Sequence, residues 1–474
     1  MMQKSFKILL LTTCLCLLSN EIYSLNNPLE KKHVDLLILG GIVVTMDAQR
    51  SLFENGAVAV DQGTIIEIGD KQTVEAHYSA ARVIDAQGKA IIPGLINGHT
   101  HLAMSLFRGI ADDLDLHDWL NNYIFPAETR NVDEAFVRAG TRLGLAELIK
   151  GGTTTFVDMY FFEDAVAEET AKAGLRGIVG QGVLDFPTPD SQTFEESLSK
   201  AQKLIKKWHH HPLITPAIAP HAPYTVCEEH LKLISALSSK MGAPILIHIS
   251  ETQEEVARLE QEKGLSPIAY LEQIGLLNNP VIAAHMVFPK KEEISILKRY
   301  QVGVIHNIHS NMKLASGIAP VPDLLDADIS IGLGTDGAAS NNDLSLWEEM
   351  DTTAKIHKVT SKDPRVLSAL QTFEMATIRG AKALRMEKSI GSIEVGKKAD
   401  IVLVDLDSVH QIPSYNIYST LVYATKASDV NTVIVDGKLV MLQHTLLTLD
   451  ELSIKKDTFF YCDKIKRSLQ TLCE

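Results

Sequence analysis

Two histidines stand one residue apart in the stretch PGLINGHTH, Pro93 to His101, straight after an apolar run broken by glycine. On an extended chain, residues i and i+2 share a face, and neutral imidazole nitrogen is a good ligand for a divalent metal. The spacing alone is a weak signal, because the chain holds 17 His in 474 residues and repeats the pattern as His209-x-His211 in KKWHHHP. Context separates the two pairs. His209 and His211 close a helix-like segment, where imidazolium suits the negative end of the helix dipole, and they read as surface residues. His99 and His101 close a strand-like run, and other polar residues take the same position elsewhere. His248 ends PILIHIS, His285 ends the apolar part of PVIAAHMV, Asp336 ends ISIGLGTD, and Glu251 follows His248 by three residues. His99, His101, His248 and Asp336 together make a sound ligand set for Zn²⁺ with room for water, and Fe²⁺ is chemically compatible. Such a metal lowers the pKa of its water toward 7. A second metal would need a bridging carboxylated lysine, and LITPAIAPHAPY offers none. One divalent metal is therefore expected.

The elements that must carry these residues are apolar runs of strand length. TTTFVDMY, LRGIVGQGVLD, LITPAIAP, PILIHIS, PVIAAHMV, VGVIHNI and ISIGLGTD follow the run that ends at His99, which makes eight. Helix-like segments separate most of them. NVDEAFVRAGTRLGLAELIKGG opens with Asn131 and Glu134 in capping-box-like spacing and closes on Gly151-Gly152. Eight buried strands alternating with helices predict an α/β fold, a TIM-like (β/α)₈ barrel. Barrel chemistry sits at the C-terminal strand ends, where these polar residues fall. An open doubly wound sheet is the rival, but it would carry a Gly-rich phosphate fingerprint, and none is visible. The barrel is expected over residues 93–386. Residues 34–92 and 387–445 alternate β-branched runs with glycine breaks and are expected to pair into one small β-sandwich. Asp436-Gly437 marks a hairpin turn in the second part. Residues 446–474 are set apart as a C-terminal tail.

The bulk composition is that of a globular protein, with 45% hydrophobic and 22% charged residues and a net charge of −14. No Lys/Arg stripe for a phosphate backbone is present, so no nucleic-acid partner is expected. Residues 1–24 have the layout of a signal peptide, with Lys4 and Lys7 before the apolar run Ile8 to Leu18. That run is too short to span a bilayer. Export, to a periplasm, is the expectation; the cytoplasm is the alternative if the leader does not function. Cys14 and Cys16 lie in the leader, leaving Cys227, Cys462 and Cys473. They show no Cys-x-x-Cys pattern, and a Cys462–Cys473 disulfide is one option in an oxidising compartment.

PGLINGHTH, HISET, SNMKLASG and GTDGAASNNDLSLWEEM resemble the motifs of the amidohydrolase superfamily. More narrowly, they are similar to those of the 5-methylthioadenosine/S-adenosylhomocysteine deaminases and their aminohydrolase relatives. The likeness covers about residues 34–445. It implies that His99, His101, His248 and Asp336 ligate the metal and that Asp336 also takes the proton of the attacking water. It implies that Glu251 protonates the substrate ring nitrogen and that His285 hydrogen-bonds the hydrolytic water. Trp119 in LHDWL resembles the aromatic wall of the base pocket, Glu128 in FPAETR the ribose-binding glutamate, and His221 in APHAPY the purine-contacting histidine. One departure is the stretch GQGVLDFP, which lacks the substrate-binding Arg that many members carry after the third barrel strand. His306 and His309, at the seventh strand's end, read equally well as substrate contacts or loop braces. A homo-oligomer is implied by the likeness alone.

The residue chemistry agrees with deamination, which needs hydroxide at the ring carbon, an acid for the adjacent nitrogen and a departing amine. The H-x-E with P-C-x-x-C pattern of cytidine-type zinc deaminases is absent. The expected activity is metal-dependent hydrolytic deamination of an adenosine-type nucleoside, a small-molecule substrate, with release of ammonia. The alternatives are guanine or cytosine deamination, or triazine dechlorination, on the same scaffold, and from another class a non-enzymatic barrel protein.

Overall fold

The computed structural model describes residues 31–470. The leader read over residues 1–24 lies outside the described residues, as does Cys473, one half of the considered disulfide. Among the described residues, Cys227 and Cys462 form no disulfide. Strands β1 (Lys32–Val44), β2 (Leu52–Asp61), β3 (Thr64–Asp70), β4 (Tyr78–Asp85) and β5 (Lys89–Pro93) come first. The barrel strands follow: β6 (Leu95–Thr100), β7 (Thr153–Tyr160), β8 (Arg176–Val183), β9 (Ile214–Pro220), β10 (Ile245–Ile249), β11 (Val281–His285), β12 (Gly303–His306) and β13 (Ile331–Leu333). The chain ends with β14 (Ile401–Asp405), β15 (Val430–Val435), β16 (Lys438–Leu442) and β17 (Thr445–Leu446).

The strands β6 to β13 form an eight-stranded parallel sheet in sequence order. Every residue of β7 and β8 is buried, as a parallel sheet covered by helices demands. The seam between the last and first strands is closed by polar groups. Asp336 N–H donates to His99 O at 2.9 Å. The Asn97 amide donates to Thr335 Oγ1 at 2.8 Å and accepts from Thr335 N–H at 3.1 Å. The interior is filled near the strand beginnings by Ile96, Ile178, Leu246, Ile282 and Ile305, and the segment carrying Ala381, Leu384 and Ile390 plugs that end. Each fully buried Ile or Leu contributes about 1.5–3 kcal/mol, so the closed end is the stable one and the opposite mouth is free for function.

The N-cap of the helix Glu134–Lys150 lies two residues beyond where the sequence places it. Asp133 is the N-cap, accepting from Phe136 N–H at 2.7 Å. Asn131 instead ends the preceding helix, Phe125–Asn131, and its amide donates back to Ala127 O at 2.9 Å. The close on Gly151 and Gly152 is as expected, with Gly152 at φ +80°.

The two chain ends build one nine-stranded sheet in the order β17-β16-β15-β14-β5-β1-β2-β3, with β4 also paired to β1. Antiparallel pairing of β14 with β5 joins the two halves. Asp436 and Gly437 turn the β15–β16 hairpin with φ of 49° and 75°, the doubly left-handed turn that Asp-Gly favours. The sheet curls until Ile65 N–H reaches Lys397 O and Ala399 N–H reaches Gly63 O, both at 2.9 Å. That encloses a core of Ile38, Val58, Ile65, Ile401, Leu403 and Ile434, the expected sandwich. Ile92, Val402 and Val433, from the opposite face, join the barrel's core. A buried ion pair, Arg176 Nε to Asp400 Oδ2 at 3.0 Å, ties the start of β8 to this sheet. The segment set apart as a tail holds the helix Glu451–Gln470. Its Tyr461 packs on Phe136, with ring centres 5.5 Å apart. Among the described residues, no helix is long and apolar enough to cross a membrane.

Candidate active site

The strand ends deliver the polar residues to one point. His99 lies inside β6 and His101 is the first residue beyond it. Gly98 is obligatory between the strands, since a Cβ there would meet Ile305 Cδ1 at 2.4 Å. His248 is in β10, His285 ends β11, and Asp336 follows β13. Ring centres are 4.8 Å apart for His99–His101, 4.9 Å for His99–His248 and 5.4 Å for His248–His285. Asp336 Oδ1 lies 3.3 Å from His99 Nε2 and 3.2 Å from His101 Nε2. One donor atom from each of His99, His101 and His248 falls within 4.8 Å of the others, and so it does for His99, His285 and Asp336. His285 thus lies as near the common point as the four residues read as ligands.

These residues fit a divalent metal on two further counts. His101 Nδ1 is 2.5 Å from Met159 O and His248 Nδ1 is 2.6 Å from His221 O. A carbonyl only accepts, so both rings carry a proton on Nδ1 and turn Nε2 inward, the orientation a ligand needs once that nitrogen is unprotonated. His99 Nε2 is buried and has no hydrogen-bond partner. Burial holds His99 down to about 4 and, with the neighbouring rings, His248 well below the usual imidazole range, so both are neutral. Burial opposes charge on His101 too, but Asp336 and Asp158 lift it to about 9. Metal arriving there displaces a proton. Burial also opposes charge on Asp336, yet the adjoining His101 and His99 imidazoles hold it well below the usual carboxylate range.

A layer of residues that no sequence signal assigned holds this set in place. Asp336 Oδ2 accepts from Ser310 Oγ at 2.6 Å and Ser340 Oγ at 3.0 Å. Asp158, at the top of β7, accepts from Thr100 Oγ1 and Leu102 N–H, both at 2.7 Å, and so clamps the chain on either side of His101. Asn311 Oδ1 accepts from His285 Nδ1–H at 2.9 Å. Glu255 accepts from Ser250 N–H at 2.9 Å and Glu251 N–H at 2.8 Å. Glu349 accepts from Ile308 N–H at 3.1 Å and Asn341 Nδ2 at 2.9 Å. Ser250, His285 and Asp336 sit in the left-handed region at φ 54°, 71° and 62°, at a cost of order 1–3 kcal/mol each. These bonds offset that cost.

Above this cluster lies a cavity walled by Met104, Leu116, Leu120, Phe125 and Leu184. Glu251 Oε2 is 3.8 Å from His285 Nε2, and Asp336 Oδ2 is 4.0 Å from the same nitrogen. Burial raises Glu251, aided by the charge of Asp336 and opposed by His285 and His101. Trp119, Glu128 and His221 all line the cavity. Trp119 opens a π-helical turn, Trp119–Ile124, a local irregularity common at functional sites. Glu128 accepts from Tyr160 O–H at 2.7 Å, and burial pushes it up to about 7. Burial and neighbouring imidazoles hold His221 down to about 3. The cavity opens into a vestibule walled by Asp185, Phe186, Thr225, Glu254, Arg258 and Phe288. His306 and His309 do not line the cavity. His306 is buried with Nε2 3.4 Å from His357 Nε2, and His309 Nε2 is 2.6 Å from Thr352 Oγ1, so both brace the helix Leu346–Ser361. His209 and His211 stay at the far end of the helix Phe194–Trp208.

The profile of the amidohydrolase family matches residues 90–440. The chain is 45% identical to the 5-methylthioadenosine/S-adenosylhomocysteine deaminase of Syntrophobacter fumaroxidans, over 88% of this chain and 95% of that one. It is 41% identical to the 5'-deoxyadenosine deaminase of Methanosarcina barkeri, over 89% and 96% respectively. Among solved structures, an adenosine deaminase from Xanthomonas campestris with bound zinc superposes with a TM-score of 0.91 at 37% identity, over 92% of this chain and all of that one.

Proposed function

The chain belongs to the amidohydrolase family, and from that premise we propose that it is a hydrolytic deaminase of adenosine-type nucleosides, 5-methylthioadenosine and S-adenosylhomocysteine foremost. The observation that carries the reading is convergence. Donor atoms of His99, His101 and His248 converge, Asp336 reaches the first two of them, and the buried carboxyl group of Glu251 lines the cavity beside them. A divalent ion held by those four residues, zinc in this proposal, would lower the pKa of water toward neutrality and so make hydroxide available.

The chain's own groups do the rest. Glu251, whose proton burial favours, gives it to the purine nitrogen next to the amine-bearing carbon. Asp336 takes one proton from the attacking water and returns it to the amine, which leaves as ammonia. The second water proton goes back to Glu251 as the carbonyl forms, so the acid is restored. His285 donates an Nδ1–H hydrogen bond to Asn311 Oδ1, which leaves Nε2 free to accept from the water. In this scheme Glu128 receives the ribose hydroxyls, while Trp119 and His221 hold the base.

Ammonia release from adenosine, 5-methylthioadenosine, S-adenosylhomocysteine, guanine and cytosine, with zinc-loaded protein, tests the reading. Turnover of adenosine derivatives only, and its loss in Glu251→Gln with metal still bound, is expected. Turnover of guanine or cytosine alone would overturn the substrate class, and full activity of Glu251→Gln would overturn the acid.

A further inference from the structure

Asp185, Cys227 and His230 meet on the vestibule wall, apart from the residues proposed to act on substrate. Asp185 follows β8, Cys227 precedes the helix Glu228–Met241, and His230 lies in that helix's first turn. His230 Nδ1 is 2.6 Å from Asp185 Oδ1, and Cys227 N–H donates to Asp185 Oδ2 at 2.6 Å. One donor atom from each of the three side chains lies within 4.8 Å of the others. The His230 ring is fixed by Phe194, stacked at 3.6 Å with 2° between the planes. Asp185 and Cys227 are exposed and His230 is half-buried, so ions reach the group from solution.

The donor set selects the ligand. Thiolate, imidazole and carboxylate together suit a borderline-soft divalent ion with an open fourth position for water; Ca²⁺ and Mg²⁺ prefer oxygen alone. We propose that Asp185, Cys227 and His230 form a second divalent-metal site, for Zn²⁺ or an ion like it. The ion enters between the His230 nitrogen and the Asp185 carboxylate and displaces the thiol proton to solvent. It pins the loop after β8 to the start of the helix Glu228–Met241. Asp185 and Phe186 line the vestibule, so the bound ion stiffens the wall that substrate passes. The proposal stands whether or not the deaminase reading does.

Cobalt substitution tests it, because the catalytic ligand set contains no cysteine. Full-length protein is stripped with chelator and titrated with Co²⁺. A thiolate-to-cobalt charge-transfer band is expected as a second equivalent binds. Cys227→Ser is expected to lose the band and that equivalent while keeping the first equivalent and its turnover; His230→Asn is expected to weaken the second equivalent at least tenfold. Cys462→Ser is the control and should keep the band. A single equivalent with no thiolate band, or a band that survives in Cys227→Ser, overturns the site. Equal melting temperatures of metal-free wild type and Cys227→Ser show that the variant folds.

Discussion

Glu255 is the sharpest test of how this site is held. Its carboxylate touches nothing in the cavity, but it accepts from the backbone N–H groups of Ser250 and Glu251 at 2.9 and 2.8 Å. It therefore fixes the left-handed bend at Ser250, φ 54°, that aims Glu251 into the cavity. Glu255→Gln replaces one accepting oxygen with an NH₂ that faces an N–H. One backbone N–H is left buried and unsatisfied, at a cost of about 1–3 kcal/mol. If that cost falls on the orientation of Glu251 in the transition state, kcat drops roughly five- to hundredfold, at 1.36 kcal/mol per tenfold. Metal content and KM should stay near wild type, because neither the ligands nor the cavity's ribose side is touched. The decisive assay is a double-mutant cycle. Glu255 acts through Glu251, so Glu251→Gln with Glu255→Gln should be no slower than Glu251→Gln alone. A double variant slower by the full single-variant factor, or Glu255→Gln with unchanged kcat, would refute the reasoning.

Glu128 sets a pH dependence. Its carboxyl is pushed from 4.5 up to about 7 by burial. Accepting ribose hydroxyls requires the ionised form, so kcat/KM for a nucleoside should fall as pH drops below about 7, and Glu128→Gln should lower it throughout and remove that limb. Because the folded value is raised, the stability linked to this group is present in acid and lost as pH rises through 7. Glu128→Gln should therefore be more stable than wild type at pH 8, by on the order of 3 kcal/mol, in chemical denaturation. Asp400→Asn leaves the buried Arg176 charge unpaired and should destabilise the fold by about 3–5 kcal/mol while leaving kcat of the folded fraction intact. Removing metal with a chelator should abolish turnover and lower the melting temperature, since an ion at a thousand times its Kd stabilises by about 4 kcal/mol; divalent metal should restore both.

The strand-end cluster proposed to bind metal was legible because barrel strands end at one mouth. His99, His101, His248, His285 and Asp336 each close an apolar run, and position alone brought them together. The same rule contained more than was taken from it. Asp158 stands two residues before the end of TTTFVDMY, and it turns to clamp the chain around His101. Strand-end position predicts a place in the mouth, not whether a carboxylate faces the metal or the backbone beside it. Ser310, Ser340, Asn311 and Glu255 were illegible for a different reason. A hydroxyl or amide has meaning only through its partner, and these partners lie four to 26 residues away in the chain. The cap of the helix Glu134–Lys150 was misplaced because Asn131 and Asp133 are both good cap residues, and only the end of the preceding helix decides between them. Cys227-x-x-His230 lies between these cases. Two ligand types one helical turn apart are visible in the sequence, but the third, Asp185, comes from the loop after another strand. What brings it close is the pairing of β8 with β9, so a half-site can be read from sequence, and the fold completes it.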